Sequence, residues 1–127
     1  MSQPIEMKAQ VLKTADQNEY FFEEGCFILE LSNSEDDPEV SIARARVEPG
    51  SVTRLHHLKS VTERYVIIAG TGNIELGDLE PKQVDAGDVV IIPPLSSQRI
   101  RNTGQADLVF LAICTPRFTM SEYIDIE

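Results

Sequence analysis

The strongest constraint on this chain is a two-residue period that returns from near its start to near its end. Residues 40–48, VSIARARVE, alternate apolar and polar side chains and stop at Pro49-Gly50. Successive side chains of an extended chain point to opposite faces, so this pattern is a half-buried strand running into a turn. Residues 27–31 (FILEL), 64–69 (RYVIIA), 72–76 (GNIEL), 88–92 (DVVII), 98–102 (QRIRN) and 108–114 (LVFLAIC) read the same way. Several are nearly continuous Val and Ile runs, the pattern of strands buried on both faces. Turn signals separate them at residues 33–38, Pro49-Gly50, Gly70-Thr71-Gly72, Gly77-Asp78, residues 86–88, Pro93-Pro94 and Thr103-Gly104. About ten short strands so spaced predict an all-β sandwich or barrel. Gly70-Thr71-Gly72 reads as a hairpin turn. No long segment carries a helical period. The best helical candidate is residues 119–124, with Thr119 or Ser121 as N-cap and Glu122 in the first turn. The first eight residues read as a tail or an edge strand.

Length and composition narrow the function. A chain of 127 residues fits one domain, and 42% hydrophobic residues suffice for a core. No stretch approaches the roughly 18 apolar residues of a membrane helix. The start, MSQPIEMKAQ, lacks the apolar segment of a signal peptide, so a cytoplasmic protein is expected. Cys26 and Cys114 lie far apart without C-x-x-C spacing, which favours small buried apolar residues over a disulfide or zinc site. Eleven basic against 21 acidic residues give 11 − 21 = −10, which argues against nucleic acid and anionic membranes as partners.

The chemistry-bearing residues follow a two-part spacing. Gly50 precedes His56 by six positions, and Glu63 precedes Gly70 by seven. Gly87 precedes Pro93 by six, and Asn102 follows that proline by nine. The segments GSVTRLHHLKSVTERYVIIAG and GDVVIIPPLSSQRIRN resemble the two motifs of the cupin superfamily, G-x5-H-x-H-x(3,4)-E-x6-G and G-x5-P-x-G-x2-H-x3-N. VSIARARVEPG, TERYVII and DLVFLAICTPRF further resemble small single-domain bacterial cupins. The resemblance covers nearly the whole chain. It implies a jelly-roll barrel of two packed antiparallel sheets with a short C-terminal helical turn. It also implies one domain over residues 1–127 with its core at about 38–116, and a ligand pocket in the barrel mouth. The N-terminal strands and the C-terminal tail are expected to pack on that core. Homodimers are implied as well.

The family's motifs supply three histidines and a glutamate to a divalent ion. Carried over by position, His56 and Glu63 remain, Leu58 stands at the second histidine and Gln98 at the third. Leu95 replaces the glycine after the proline. The resemblance thus implies a three-ligand site for Zn, Mn, Fe or Ni: His56 nitrogen, Glu63 oxygen and Gln98 amide oxygen, with open positions. Residues two apart share a strand face, so His57 faces away from His56. A β-bulge turning His57 inward is the variant arrangement. The alternative is that His56 and Glu63 hydrogen-bond inside a metal-free pocket.

Tyr65 shares a face with Glu63, and Arg54 shares one with His56, so both are candidate substrate-binding residues. An inward Arg54 would take a carboxylate or phosphate bidentately. The alternative for Arg54 is a surface ion pair with one of the many acids. Two functions follow. One is a metal-dependent enzyme on a small organic molecule, and the other is a non-catalytic small-molecule binding or regulatory protein without metal. No G-x-G-x-x-G after a strand and no G-x-S-x-G elbow competes.

Overall fold

The computed structural model describes residues 7–127. The described residues form eleven strands in two antiparallel sheets. In chain order they are β1 (Tyr20–Phe22), β2 (Cys26–Ser32), β3 (Ser41–Val47), β4 (His56–Leu58), β5 (Thr62–Ala69), β6 (Thr71–Leu76), β7 (Lys82–Asp85), β8 (Val89–Ile92), β9 (Gln98–Asn102), β10 (Leu108–Thr115) and β11 (Tyr123–Asp125). One sheet runs β1-β2-β3-β10-β5-β8 and the other β11-β4-β9-β6-β7. The chain passes back and forth between them, which is the jelly-roll arrangement expected from the sequence. Among the described residues no strand pairing joins the two sheets.

Alternation decides what fills the space between the sheets. Glu63, Tyr65 and Ile67 of β5 are buried while Arg64, Val66 and Ile68 are not. Gln98, Ile100 and Asn102 of β9 are buried, and Arg99 and Arg101 point outward. Val47, Ile67, Ile92, Ile100 and Leu108 are each at most 1% exposed. Burying a side chain of that size stabilises the fold by about 1.5–3 kcal/mol, so these five anchor the two sheets to each other.

Gly70-Thr71-Gly72 is not a hairpin turn. β5 pairs with β10 and β8, whereas β6 pairs with β9 and β7, so the chain changes sheets at Gly70. Gly70 has φ +87°, and a Cβ there would stand 2.6 Å from the Asp107 carbonyl oxygen. Only glycine combines that conformation with that close approach.

Two further expectations are narrowed or change. The short C-terminal helical turn is present as a 3-10 turn over Met120–Glu122, narrower than residues 119–124 because β11 begins at Tyr123. A segment this short cannot nucleate a stable helix, and Tyr123 to Asp125 instead pair with His56 to Leu58. Thr119 makes no cap, and the Glu122 carboxylate accepts from the Ser60 N–H at 2.7 Å. Strand β8 is not buried on both faces: Val89 is 57% and Ile91 63% exposed. Among the described strands it pairs only with β5, at the sheet edge. Of the first eight residues, 1–6 lie outside the described residues, and Met7 and Lys8 carry no strand.

Candidate ligand cavity

A cavity of about 60 Å³ opens between the sheets. A site needs roughly 10–15 Å³ per water on this measure, so it has room for several waters or a small organic group. Small side chains create the space: Ala43 and Ala45 of β3 and Ala112 of β10 line it. The polar lining includes His56 from β4, Glu63 and Tyr65 from β5, Tyr123 from β11 and Glu24 from the β1–β2 turn.

His56 is 2% exposed. Its Nδ1 lies 2.7 Å from the Arg54 carbonyl oxygen, which only accepts, so Nδ1 carries a proton. Nε2 is thereby aimed at the Glu24 carboxylate, with Oε2 at 3.3 Å. The Tyr123 ring stacks on the imidazole with centroids 4.8 Å apart. Glu24 Oε1 accepts from the Cys26 thiol at 3.0 Å. Neither Glu24 nor Tyr123 was singled out from the sequence. Glu24 sits in a turn between two apolar runs, and its backbone oxygen accepts from the Arg54 N–H at 2.7 Å, which holds the turn beside His56.

On the facing sheet, Glu63 is nine-tenths buried. Its Oε2 lies 3.7 Å from the Cys114 thiol, and its Oε1 has no hydrogen-bond partner. Burial, then the charge of Glu24, pushes its pKa up to about 7, against the opposing pull of Gln98 and Cys114. Gln98 is fully buried and is the cross-strand partner of His56. Its amide oxygen accepts from the Tyr65 hydroxyl. Its Nε2 leans toward Glu63 without closing a hydrogen bond of normal geometry. Burial, then Glu63 and Glu24, holds the Tyr65 hydroxyl well above the usual phenol range, so Tyr65 is a neutral donor. Burial also raises both cysteine thiols, which disfavours thiolate chemistry.

The remaining expected site residues lie elsewhere. Arg54 does not line the cavity; it pairs with Asp125 at 2.5 Å on the exposed side of the β4–β11 ribbon. His57 faces away from the buried His56 and Leu58, opposite Ile124, and no bulge turns it inward.

A divalent ion does not fit these residues as arranged. The Gln98 oxygen is engaged by Tyr65, and the amide group left unpaired is an NH2, which cannot ligate. Leu58 is buried at the place of a second imidazole. Among the described residues no three His, Cys, Asp or Glu side chains come together closely enough to hold an ion. The arrangement suits hydrogen bonding to a small molecule: one acceptor, Glu63 Oε1, and the Tyr123 hydroxyl are both buried, unpartnered and at the cavity wall.

The family profile for the cupin domain matches residues 43–114. An uncharacterised protein of Methanocaldococcus jannaschii is 34% identical over 102 residues, 79% of this chain and 81% of that protein. An oxalate-binding protein of Thermotoga maritima is 37% identical over 71 residues, 56% of this chain and 58% of that protein, so the match spans little more than half of each. Among solved structures, an uncharacterised Klebsiella pneumoniae protein with a double-stranded β-helix domain superposes with TM-score 0.75. It covers 94% of this chain and 99% of that one at 14% identity, a likeness of fold alone.

Proposed function

We propose that this chain, which belongs to the cupin family, is a small-molecule binding protein whose ligand sits between the sheets against His56, Glu63 and Tyr123. One observation carries the reading: Glu63 Oε1 and the Tyr123 hydroxyl are buried at the cavity wall without a partner. A buried polar atom left unpaired costs about 1–3 kcal/mol, and a bound molecule recovers it. Thermal-shift screening of small organic molecules, followed by titration of Tyr123→Phe, tests this. Binding weakened in Tyr123→Phe supports the reading, and no ligand from a broad screen binding between the sheets overturns it.

The second reading is a metal-dependent enzyme on a small organic molecule, supported by the family and by His56 and Glu63 at two of the motif's ligand positions. The discriminating measurement is elemental analysis of protein purified without chelator, beside His56→Ala, Glu63→Ala and His57→Ala. Stoichiometric metal lost in the first two variants and kept in the third favours the enzyme.

Self-association belongs to the same proposal. The outer face of β5 and β8 exposes large apolar side chains among the described residues, with Ile68 51% and Ile91 63% exposed. A second copy of the chain is the partner that a homodimer supplies. Among the described residues no helix is long and apolar enough to cross a membrane.

A further inference from the structure

The charge of the cavity wall is one-sided. Glu24, Glu30 and Glu63 line it, and no lysine or arginine does. The one side chain there able to carry positive charge is His56, whose free nitrogen already faces Glu24 at 3.3 Å. Carboxyl groups therefore outnumber the cation-capable group three to one, with Glu63 buried, Glu24 half-buried and Glu30 exposed. An anion entering here meets repulsion with no partner to offset it, because like charges at short range in a low dielectric cost several-fold more than in bulk water. Oxalate, a dianion, is thus a poor match to this wall.

The same wall suits the opposite charge. Glu63 Oε1 is an acceptor without a donor, on a side chain nine-tenths buried and turned to the cavity. An ammonium supplies N–H donors and charge together, and a hydrogen bond to a charged partner is about twice as strong as a neutral one. Phe22, Tyr65 and Tyr123 provide apolar surface and cation–π attraction for the body of such a ligand. The negative field is visible in its effect on neighbours: Glu24 is among the charges that raise Glu63, Tyr65 and Tyr123.

We propose that the ligand is a small organic cation, a primary or secondary ammonium on an apolar or aromatic body, whose N–H donates to Glu63 Oε1. This rests on the ligand-binding reading above and adds the chemical class. An inorganic divalent ion is the less suitable cation, since the three carboxylates are spread around the wall rather than gathered with His56 into a ligand set.

Isothermal titration with the isosteres benzylamine, benzyl alcohol and benzoate, and with oxalate, tests it. Ring-proton NMR shifts of His56 and Tyr123 report whether a probe sits between the sheets. Benzylamine is expected to bind there at least about tenfold more tightly than benzyl alcohol, which is the about 1.4 kcal/mol a charged hydrogen bond supplies. Glu63→Gln is expected to lose that advantage, and Arg54→Ala to keep it. If Glu63→Gln does not fold, Glu24→Gln serves, with a smaller loss expected. Benzyl alcohol, benzoate or oxalate matching the amine overturns the inference and leaves the binding reading standing. No probe of any charge entering the cavity overturns both. Zinc or manganese binding stoichiometrically and displacing benzylamine also overturns it, in favour of the metal.

Discussion

Tyr65 reaches from the six-stranded sheet to Gln98 on the five-stranded sheet, its hydroxyl donating to the amide oxygen. Both residues are buried, and the Gln98 Nε2 has no partner of its own. Tyr65→Phe therefore leaves a fully buried amide with neither end satisfied. The expected loss is about 1–3 kcal/mol by urea unfolding. Replacing both groups removes the orphan, so Tyr65→Phe with Gln98→Leu is expected to be more stable than Tyr65→Phe alone. A single variant as stable as the natural chain would mean that the bond contributes nothing net.

Glu63 gives the fold a pH dependence with a definite sign. Its folded pKa, raised to about 7 from 4.5, means the folded state holds a proton that the unfolded chain has released. Its contribution to stability is present in full below about pH 4.5 and is lost as pH rises through about 7. Between those values the slope approaches about 1.4 kcal/mol per pH unit. Glu63→Gln cannot titrate, so the difference between the natural chain and this variant is expected to shift in the variant's favour from pH 5 to pH 8. A difference that stays flat over that range means that the carboxyl is ionised throughout.

The sequence revealed strands where alternation runs long enough to register. Residues 98–102 coincide with β9, and 108–114 differ from β10 by one residue. Strands β1, β7 and β11 span only three or four residues, too few for a period, and exist through their partners. Motif spacing led to His56, Glu63 and Gln98, because the distance between turns fixes which residue faces inward. Arg54 misled because parity holds only inside a strand, and β4 begins at His56. The carboxylate beside His56 comes from Glu24, 32 positions earlier, placed by a backbone hydrogen bond to Arg54 that local pattern cannot encode. The Gln98 oxygen, expected to face an ion, was claimed by Tyr65 across the sheets.

Leu95 occupies a glycine's conformation. Its φ is +69°, in the left-handed region, and its side chain is 64% exposed. Its N–H donates to the Leu58 carbonyl at 2.7 Å, a bond that any residue other than proline retains. The left-handed region costs a residue with a Cβ about 1–2 kcal/mol, while glycine adds about 0.5–1 kcal/mol of unfolded-state entropy. Leu95→Gly is therefore expected to be neutral or up to about 1 kcal/mol stabilising, the reverse of the usual effect of a new glycine. Leu95→Val, stiff at Cβ, is expected to destabilise. Thermal unfolding of the two variants checks both signs.

The outer face of the large sheet sets the last prediction. Leu111, Val66 and Val89 are cross-strand neighbours on β10, β5 and β8, and Ile113 and Ile91 flank Arg64 in the next row. These side chains point away from the cavity and make an apolar band interrupted by Arg64. Water against such a band is unfavourable in proportion to its area, about 25 cal/mol per Å², and a second copy laid across it removes that contact. Light scattering is expected to give the mass of a dimer. Val89→Lys with Ile91→Lys places two charges in the middle of the band and is expected to yield monomers. Ligand binding should persist in that variant, because neither residue lines the cavity. A natural chain that is monomeric at high concentration removes the dimer. A charged double variant that stays dimeric moves the interface to another face.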